Sequence, residues 1–485
     1  MTRSCLDGPW GHLTLESVHD APEPLQLLKV MTSRPGCFFL DSALQGKLGQ
    51  YSFLGCDPYR TVRAHGRVIE EQRQGACRKY EANPFSVLRR LLGGAQSELP
   101  QRPAPFLSGA VGYLGYDLRH FVERLSARAR RDQSFPDLHL GFYDSVVAYD
   151  HRDRTCWVSG LSRQGSPSQA VAVLERTLRL LERAAGACPA QPDEGLIIDP
   201  GTLWSNFTRG QYLGAVRRAI EYIAAGDIFQ VNLSQRLEAR TALRADALYR
   251  RLRAANPAPY AAYLDLGDGA AVLSSSPEQF LQVCGSNVVT RPIKGTRPRS
   301  DDPAGDARMQ AELIASAKDN AELAMIVDLE RNDLGRVCSY GSVRVTEPRV
   351  LETYARVHHL VATVEGRLHP RHDVVDLLKA TFPGGSITGA PKIRAMGIID
   401  ELEPTARSLY TGAIGYFDDF GRADLNIAIR TMLYDRGRVT FQVGGGIVAD
   451  SVPEQEYQET LDKGRALLEA LGATLSGKRA VEEIR

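Results

Sequence analysis

The stretch from Leu409 to Val448 constrains the fold more than any other. Strand-like segments there are punctuated by turn residues at Asp418–Gly421 and Asp435–Gly437. The spacing predicts three antiparallel strands. One of them, read as Leu425–Met432, puts Asn426, Ala428 and Arg430 on one face by strand alternation. A small residue between two polar ones leaves room for a ligand, and Arg430 can grip a carboxylate through two parallel bonds. Gly444-Gly-Gly446 follows, a patch of approachable N–H groups.

Upstream, short strands and helices alternate. Cys37–Leu40 and Tyr51–Leu54 are predicted strands, and Pro84–Leu92 a helix capped by Asn83. Arg119–Arg131 reads as a solvated basic face. Gly186–Gly195, with Pro189 and Pro192, is the expected linker, dividing residues 1–190 from 200–475. Beyond it Thr208 caps a helix, and Phe229, Val231 and Leu233 alternate with Gln230, Asn232 and Ser234 as a strand with one polar face. Asp306–Leu334 reads as two helices, and a last helix starts after Ser451 as cap.

Composition narrows the function classes. Lys plus Arg number 59 against 58 for Asp plus Glu, so no general polyanion surface is expected and nucleic acid is a poor partner. No apolar run reaches transmembrane length and no apolar segment suits a signal peptide, so a soluble cytoplasmic protein is expected, with no membrane partner. The eight cysteines lack any C-x-x-C pair and read as reduced, buried side chains.

Several residues carry chemistry. Arg291-Pro-Ile-Lys-Gly-Thr-Arg-Pro-Arg299 holds Lys294 on a stiff bend among arginines, whose charge favours a free, nucleophilic amine. Glu278 follows a strand as a candidate general acid. His358 and His359 are adjacent, so alternation turns one in and one out. Glu456, Glu459 and Lys463 share a helix face, and Glu322 lies on an earlier helix. Two glutamates from two helices suit a hard cation such as Mg²⁺. Pro383–Lys392 resembles a phosphate loop but has Ala390 where that loop needs lysine. It reads instead as a glycine-rich turn into a helix, with Thr388 as cap.

Together Pro292-Ile-Lys-Gly-Thr296, Asp328–Asp333, Pro383–Lys392, Gly444–Asp450 and Tyr457–Thr460 resemble the chorismate-utilising enzymes, most strongly over 205–470. The resemblance is nearest to the aminodeoxychorismate synthase component I branch, which aminates chorismate to 4-amino-4-deoxychorismate on the way to p-aminobenzoate and folate. Two positions carry that distinction: Lys294, where anthranilate synthases usually have alanine, and Gln230, where isochorismate synthases carry a water-activating lysine. The alternatives are an anthranilate synthase component I, a 2-amino-2-deoxyisochorismate synthase, and a silent subunit sensing chorismate or tryptophan.

The resemblance implies an α+β fold of two antiparallel sheets packed as a sandwich and flanked by helices. It implies Mg²⁺ on Glu322 and Glu459, and Tyr416, Arg430 and the backbone of Gly444, Gly445 and Gly446 around the substrate, with Lys463 and Thr388. Glu278 would protonate the leaving hydroxyl, assisted by His359, and Lys294 would attack the ring. Ser42, Pro257 and Tyr260 correspond to a tryptophan pocket in relatives, although Phe39-Leu-Asp-Ser42 replaces the usual Leu-Leu-Glu-Ser. No glutaminase motif is present, so ammonia is expected from a separate glutamine amidotransferase, component II.

Overall fold

The computed structural model describes residues 3–46, 48–73, 75–93, 99, 102–186, 203–300, 302–354 and 357–472. Two large sheets dominate it, and their strand pairings are antiparallel. The first runs, in spatial order, through Arg3–Gly8, Gly11–Val18, Thr155–Ser162, Val147–Asp150, Tyr51–Gly55, Phe38–Asp41, Tyr260–Gly267, Ala270–Ser276, Thr431–Asp435, Arg438–Ile447, Gln230–Arg240 and Trp204–Ser205, with Gly389–Ala390 pairing beside Gln230. The second runs through Ile293–Pro298, Val357–Arg367, Asn287–Arg291, Gln279–Cys284, Arg422–Ile427, Ala413–Asp418, Gly109–Leu114, Leu138–Tyr143, Arg60–His65, Val68–Arg73 and Ala76–Glu81, with Arg344–Thr353 beside Val357–Arg367. Both sheets draw strands from both sides of the expected linker, most of which (187–195) lies outside the described residues.

The inner faces close on one apolar cluster. Leu13, Phe38, Phe53 and Val272 from the first sheet meet Val111, Tyr113, Ile414 and Tyr416 from the second. Phe53 and Tyr416 touch across the gap, ring centroids 5.6 Å apart. Each such side chain removed from water contributes about 1.5–3 kcal/mol. Helices cover the outer faces: Pro24–Met31, Pro167–Ala185, Ala245–Ala255 and Pro453–Ala470 on the first sheet, and Pro84–Leu92, Ala317–Gly335 and Val374–Thr381 on the second. Central strands are therefore buried on both faces. The polar face of Gln230–Arg240 is covered rather than solvated, and His358 and His359 are both buried although alternation expected one of them outside. His358 is held by Asp306 at 2.9 Å and Thr353 at 2.9 Å.

Local chemistry explains most boundaries. Asn83 Oδ1 accepts the Phe85 N–H, and Thr208 forms a capping box with Gln211. Ser316 caps Ala317–Gly335 after Pro303–Ala315, so the long helical stretch is two helices. Other expectations fail. Thr388 caps nothing: Pro391 is the cap of Lys392–Leu402, and the Thr388 hydroxyl donates to Gly384 O at 3.0 Å. The last helix is capped at Val452, while Ser451 donates to Glu456 at 2.6 Å. Arg119 is buried against Asp400 at 2.9 Å instead of facing solvent. The predicted Leu425–Met432 strand is two, because the chain leaves the second sheet after Ile427 and enters the first at Thr431. Four strands, not three, therefore fill 409–448.

Candidate functional site

The sheet change at Ile427–Thr431 has a neighbour. The chain also switches sheets between Ala270–Ser276 and Gln279–Cys284, so two crossings run side by side. They are stitched by Ile427 N–H to Glu278 O (3.0 Å), Ser275 N–H to Arg430 O (3.1 Å) and Ser276 Oγ to Ile427 O (2.6 Å). A crossing residue is released from ladder geometry; Arg430 uses that freedom at φ +51°. The seam thus brings Glu278 and Arg430 together, although Asn426, Ala428 and Arg430 no longer share one strand face.

Glu278 is buried and accepts the Ser386 hydroxyl at 2.6 Å. Burial raises its carboxyl above the ordinary carboxylate range, against the opposing pull of Ser386, Lys294 and Arg430. Lys294, on Ile293–Pro298, donates to the Ser386 carbonyl at 3.3 Å. Ser386 therefore holds the acid by its hydroxyl and the amine by its backbone.

The Lys294 amine titrates below its ordinary value, chiefly through burial. Glu322 and Glu278 oppose that fall, and Lys463 adds to it. The arginines invoked from the sequence are not the cause. Arg291 binds Glu352 at 2.6 Å, Arg297 binds Glu312 at 3.0 Å and Arg299 binds Asp306 at 2.8 Å. Gly295 sits at a bulge at φ +72°, and a Cβ there would lie 2.9 Å from Leu313. Its absence lets the neighbouring helix close on the lysine strand. His359 accepts from or donates to Thr296 at 2.9 Å, and burial pushes its imidazole down to about 4, so it is neutral near pH 7.

The glycine run forms the far wall. A Cβ on Gly444 would meet the Tyr410 hydroxyl at 2.8 Å, and one on Gly446 would meet the Gln230 amide at 2.3 Å. Gly445 faces the other way, 3.2 Å from Glu456 and 3.4 Å from Glu459 by the same measure. Lys463 donates to Gly444 O at 3.0 Å and pairs with Glu459 at 2.5 Å. Burial pushes the Glu459 carboxyl up, but Lys463 outweighs it and holds the group below the ordinary range. Burial raises Glu322, 4.0 Å from Lys318, and Glu456, whose Oε2 has no partner. Among the described residues no group of three or more potential ligands is close enough to hold a metal as it stands.

Tyr416 is not at this site. It points between the sheets, stacked on Phe106 at 4.4 Å, and lines a separate cavity of about 60 Å³ with Ser42, Asp41, Tyr51, Phe53 and Tyr260. The tyrosine beside Arg430 and Gly444 is Tyr410, whose phenol burial raises to about 12. Five residues separate the two along one segment; Tyr416 lies within strand Ala413–Asp418 and Tyr410 lies before it. Pro257 does not line the second cavity; Pro259 does. Thr388 is fully buried and its hydroxyl is spent on its own loop. Ser386 lies inside the Pro383–Lys392 motif, and a serine next to a glycine pair after a helix is the signal the sequence offers.

Residues 36–469 match the model of the chorismate binding enzyme family. The chain is 41% identical over 450 residues to anthranilate synthase component 1 of Thermus thermophilus, covering 93% of this chain and 95% of that one. It is 40% identical over 444 residues to aminodeoxychorismate synthase component 1 of Klebsiella aerogenes, covering 91% and 95%. The solved structure of anthranilate synthase component I from Streptococcus pneumoniae superposes with TM-score 0.75 at 33% identity, over 87% of this chain and 93% of that one. The chain belongs to the chorismate binding enzyme family. It is a chorismate-utilising enzyme with the anthranilate synthase component I fold.

Proposed function

We propose that this enzyme is component I of an aminodeoxychorismate synthase, aminating chorismate at C4. The observation that carries the reading is the shared hold of Ser386 on Glu278 and Lys294, an acid raised and an amine lowered by burial. Both shifts favour the pair in which the carboxyl keeps its proton and the amine is free.

Protonated Glu278 gives its proton to the C4 hydroxyl, which leaves as water. The Lys294 lone pair forms a bond to C2, and both conjugated ring double bonds shift toward C4 as the C4–O bond breaks. Ammonia then bonds to C4, the electrons shift back, and the C2–N bond breaks to return a neutral lysine. The product nitrogen leaves as an ammonium group, whose excess proton can restore Glu278. Arg430, Tyr410 and the Gly444–Gly446 backbone hold the enolpyruvyl carboxylate, and Lys463 adds positive charge beside the ring carboxylate.

Mg²⁺ fits the donor set: Glu322 and Glu459 offer hard oxygens whose charges oppose one another, and the unpartnered Glu456 Oε2 lies near Glu459. Held there, the ion would offset the charge of the substrate's ring carboxylate, and two protein carboxylates would leave room for water and substrate. Ammonia comes from a separate glutamine amidotransferase subunit.

The second reading is anthranilate synthesis, because relatives of both names match at nearly equal identity. Incubation with chorismate, Mg²⁺ and an ammonium salt separates them. The expected product is 4-amino-4-deoxychorismate; anthranilate and pyruvate would establish the second reading instead. The isolated chain is expected to use ammonia but not glutamine, and to gain glutamine use when the amidotransferase is added.

A further inference from the structure

No step of the reaction uses the motif Asp328–Asp333 or Lys392, yet they meet beside the chemistry. Glu330 and Asp333 lie on helix Ala317–Gly335 and are buried, 2% and 3% exposed. Lys392 opens helix Lys392–Leu402. Its amine pairs with Asp333 and donates to Thr381 O at 2.8 Å and to Pro383 O at 2.8 Å. One lysine therefore ties the first helix to the start of the loop that carries Ser386.

Glu330 holds the next turn of that loop. Its Oε1 accepts the Gly385 N–H at 3.0 Å. The approach is close because Gly385 has no side chain: a Cβ there would lie 2.7 Å from Leu329 and 3.0 Å from Glu330 Oε1. On the other side, a Cβ on Gly384 would lie 2.8 Å from Ile427, at the sheet crossing. The loop is thus pressed between the helix and the seam. Ser386 follows directly, with its hydroxyl on Glu278 and its carbonyl on the Lys294 amine. A rotation of the loop about Gly385 would loosen both contacts at once.

We propose that Glu330 is a positioning residue: through the Gly385 N–H it fixes the loop on which Ser386 holds the acid and the amine in register.

The surroundings suit a carboxyl that accepts this bond without carrying a full charge. Burial raises Glu330 above the ordinary carboxylate range, Asp333 raises it further, and Lys392 and the Gly385 N–H oppose them. Glu278 acts in the same direction as Asp333. Glu330 Oε2 is buried with no partner, so a charge there is poorly compensated. A neutral carboxyl still accepts the Gly385 N–H through Oε1, and so does an amide of the same shape. Glutamine therefore substitutes for Glu330 on this account. Methionine, similar in volume but without the oxygen, does not.

The inference rests on the proposed roles of Glu278 and Lys294, but not on which carbon is aminated. The test reads total chorismate consumption at saturating ammonium, with the folded fraction of each variant taken from circular dichroism. Glu330→Met is expected to lower kcat per folded enzyme about 10- to 100-fold, since a misplacement of about 1 Å can cost that much. The KM for chorismate is expected to stay within about threefold, because Arg430 and the Gly444–Gly446 backbone sit on other elements. Glu330→Gln is expected to keep kcat within about threefold of the wild type. Gly385→Ala leaves every side chain of the cluster in place and pushes the loop off Glu330, so it is expected to lower kcat about tenfold or more. Gly385→Ala at near wild-type kcat, or Glu330→Gln as slow as Glu330→Met, would overturn the assignment. So would a loss that appears in the chorismate KM with kcat unchanged. Glu278→Gln and Lys294→Ala read the underlying roles separately. If those two are slow and Glu330→Met is fast, only this inference falls; if those two are fast, the proposed function falls and takes this inference with it. Anthranilate as product would revise the proposed function and leave this test intact.

Discussion

Two places where Tyr-bearing strands meet the sandwich behave oppositely. At the seam of the two sheet crossings, ionisable groups face one another with their hydrogen-bonding capacity only partly used. Glu278 and Lys294 share Ser386, and Gln230 and Glu456 keep buried atoms unpaired. At the second cavity, Asp41 and Ser42 are paired within the fold. Asp41 accepts from Arg253 at 2.5 Å and from Tyr249 at 2.9 Å, and the Ser42 hydroxyl donates to Tyr51 O at 2.6 Å. Unpaired buried groups cost stability and persist where a ligand completes them; paired ones stabilise the fold and ask for nothing. On the proposed function, catalysis would sit at the seam, and the Ser42–Tyr260 cavity would have a structural role.

The comparison breaks most visibly through Lys294. Lys294→Ala is expected to lower the rate of 4-amino product by on the order of 10²–10⁴, with some 2-amino product or anthranilate in its place. Product chromatography reads both. A twofold loss would move the nucleophile elsewhere.

Glu278→Gln is expected to cost about 10²–10³ in kcat. The pH profile carries the sign. Activity needs Glu278 protonated and Lys294 neutral, so it falls as pH rises through the raised carboxyl pKa and falls as pH drops through the lowered amine pKa. Glu278→Gln should lose the alkaline limb. An alkaline limb that survives belongs to another group.

Chelation of Mg²⁺ is expected to abolish turnover, and Glu459→Gln to weaken apparent Mg²⁺ affinity by about 10- to 100-fold. Because Glu459 is half exposed, its replacement should leave the thermal midpoint nearly unchanged. Full activity in excess chelator would remove the metal from the account.

The smallest effects are expected at the second cavity. Saturating tryptophan should change the rate by less than about twofold, below the roughly fivefold at which allosteric coupling usually begins. Asp41→Asn should cost about 1–3 kcal/mol of stability through Arg253 and Tyr249 while leaving kcat nearly intact. A tryptophan-dependent rate would show that this cavity regulates after all.

Much of this was legible before any coordinates. Caps at Asn83 and Thr208 are local, because a side-chain oxygen reaches only a few residues. Lys294, Glu278 and Arg430 were legible as residue types in motifs. Their meeting was not, because it depends on two strands changing sheets at the same point, which no local period encodes. Continuous alternation carried the expected strand through Ala428, and it hid the break. Tyr416 came from the family resemblance alone, and Tyr410, which lies before strand Ala413–Asp418, carried no signal of its own. The depressed lysine was anticipated with the wrong cause, since sequence shows neighbouring arginines but not the acids that claim them.

The central claim is that Lys294 becomes covalently attached to the ring during turnover. Mass spectrometry of enzyme quenched with chorismate and Mg²⁺ but no ammonia tests it directly. The account expects a chorismate-derived adduct, less one water, on the peptide containing Lys294, discharged when ammonia is added. An unmodified Lys294 together with a Lys294→Ala variant that makes the 4-amino product at near wild-type rate would contradict it.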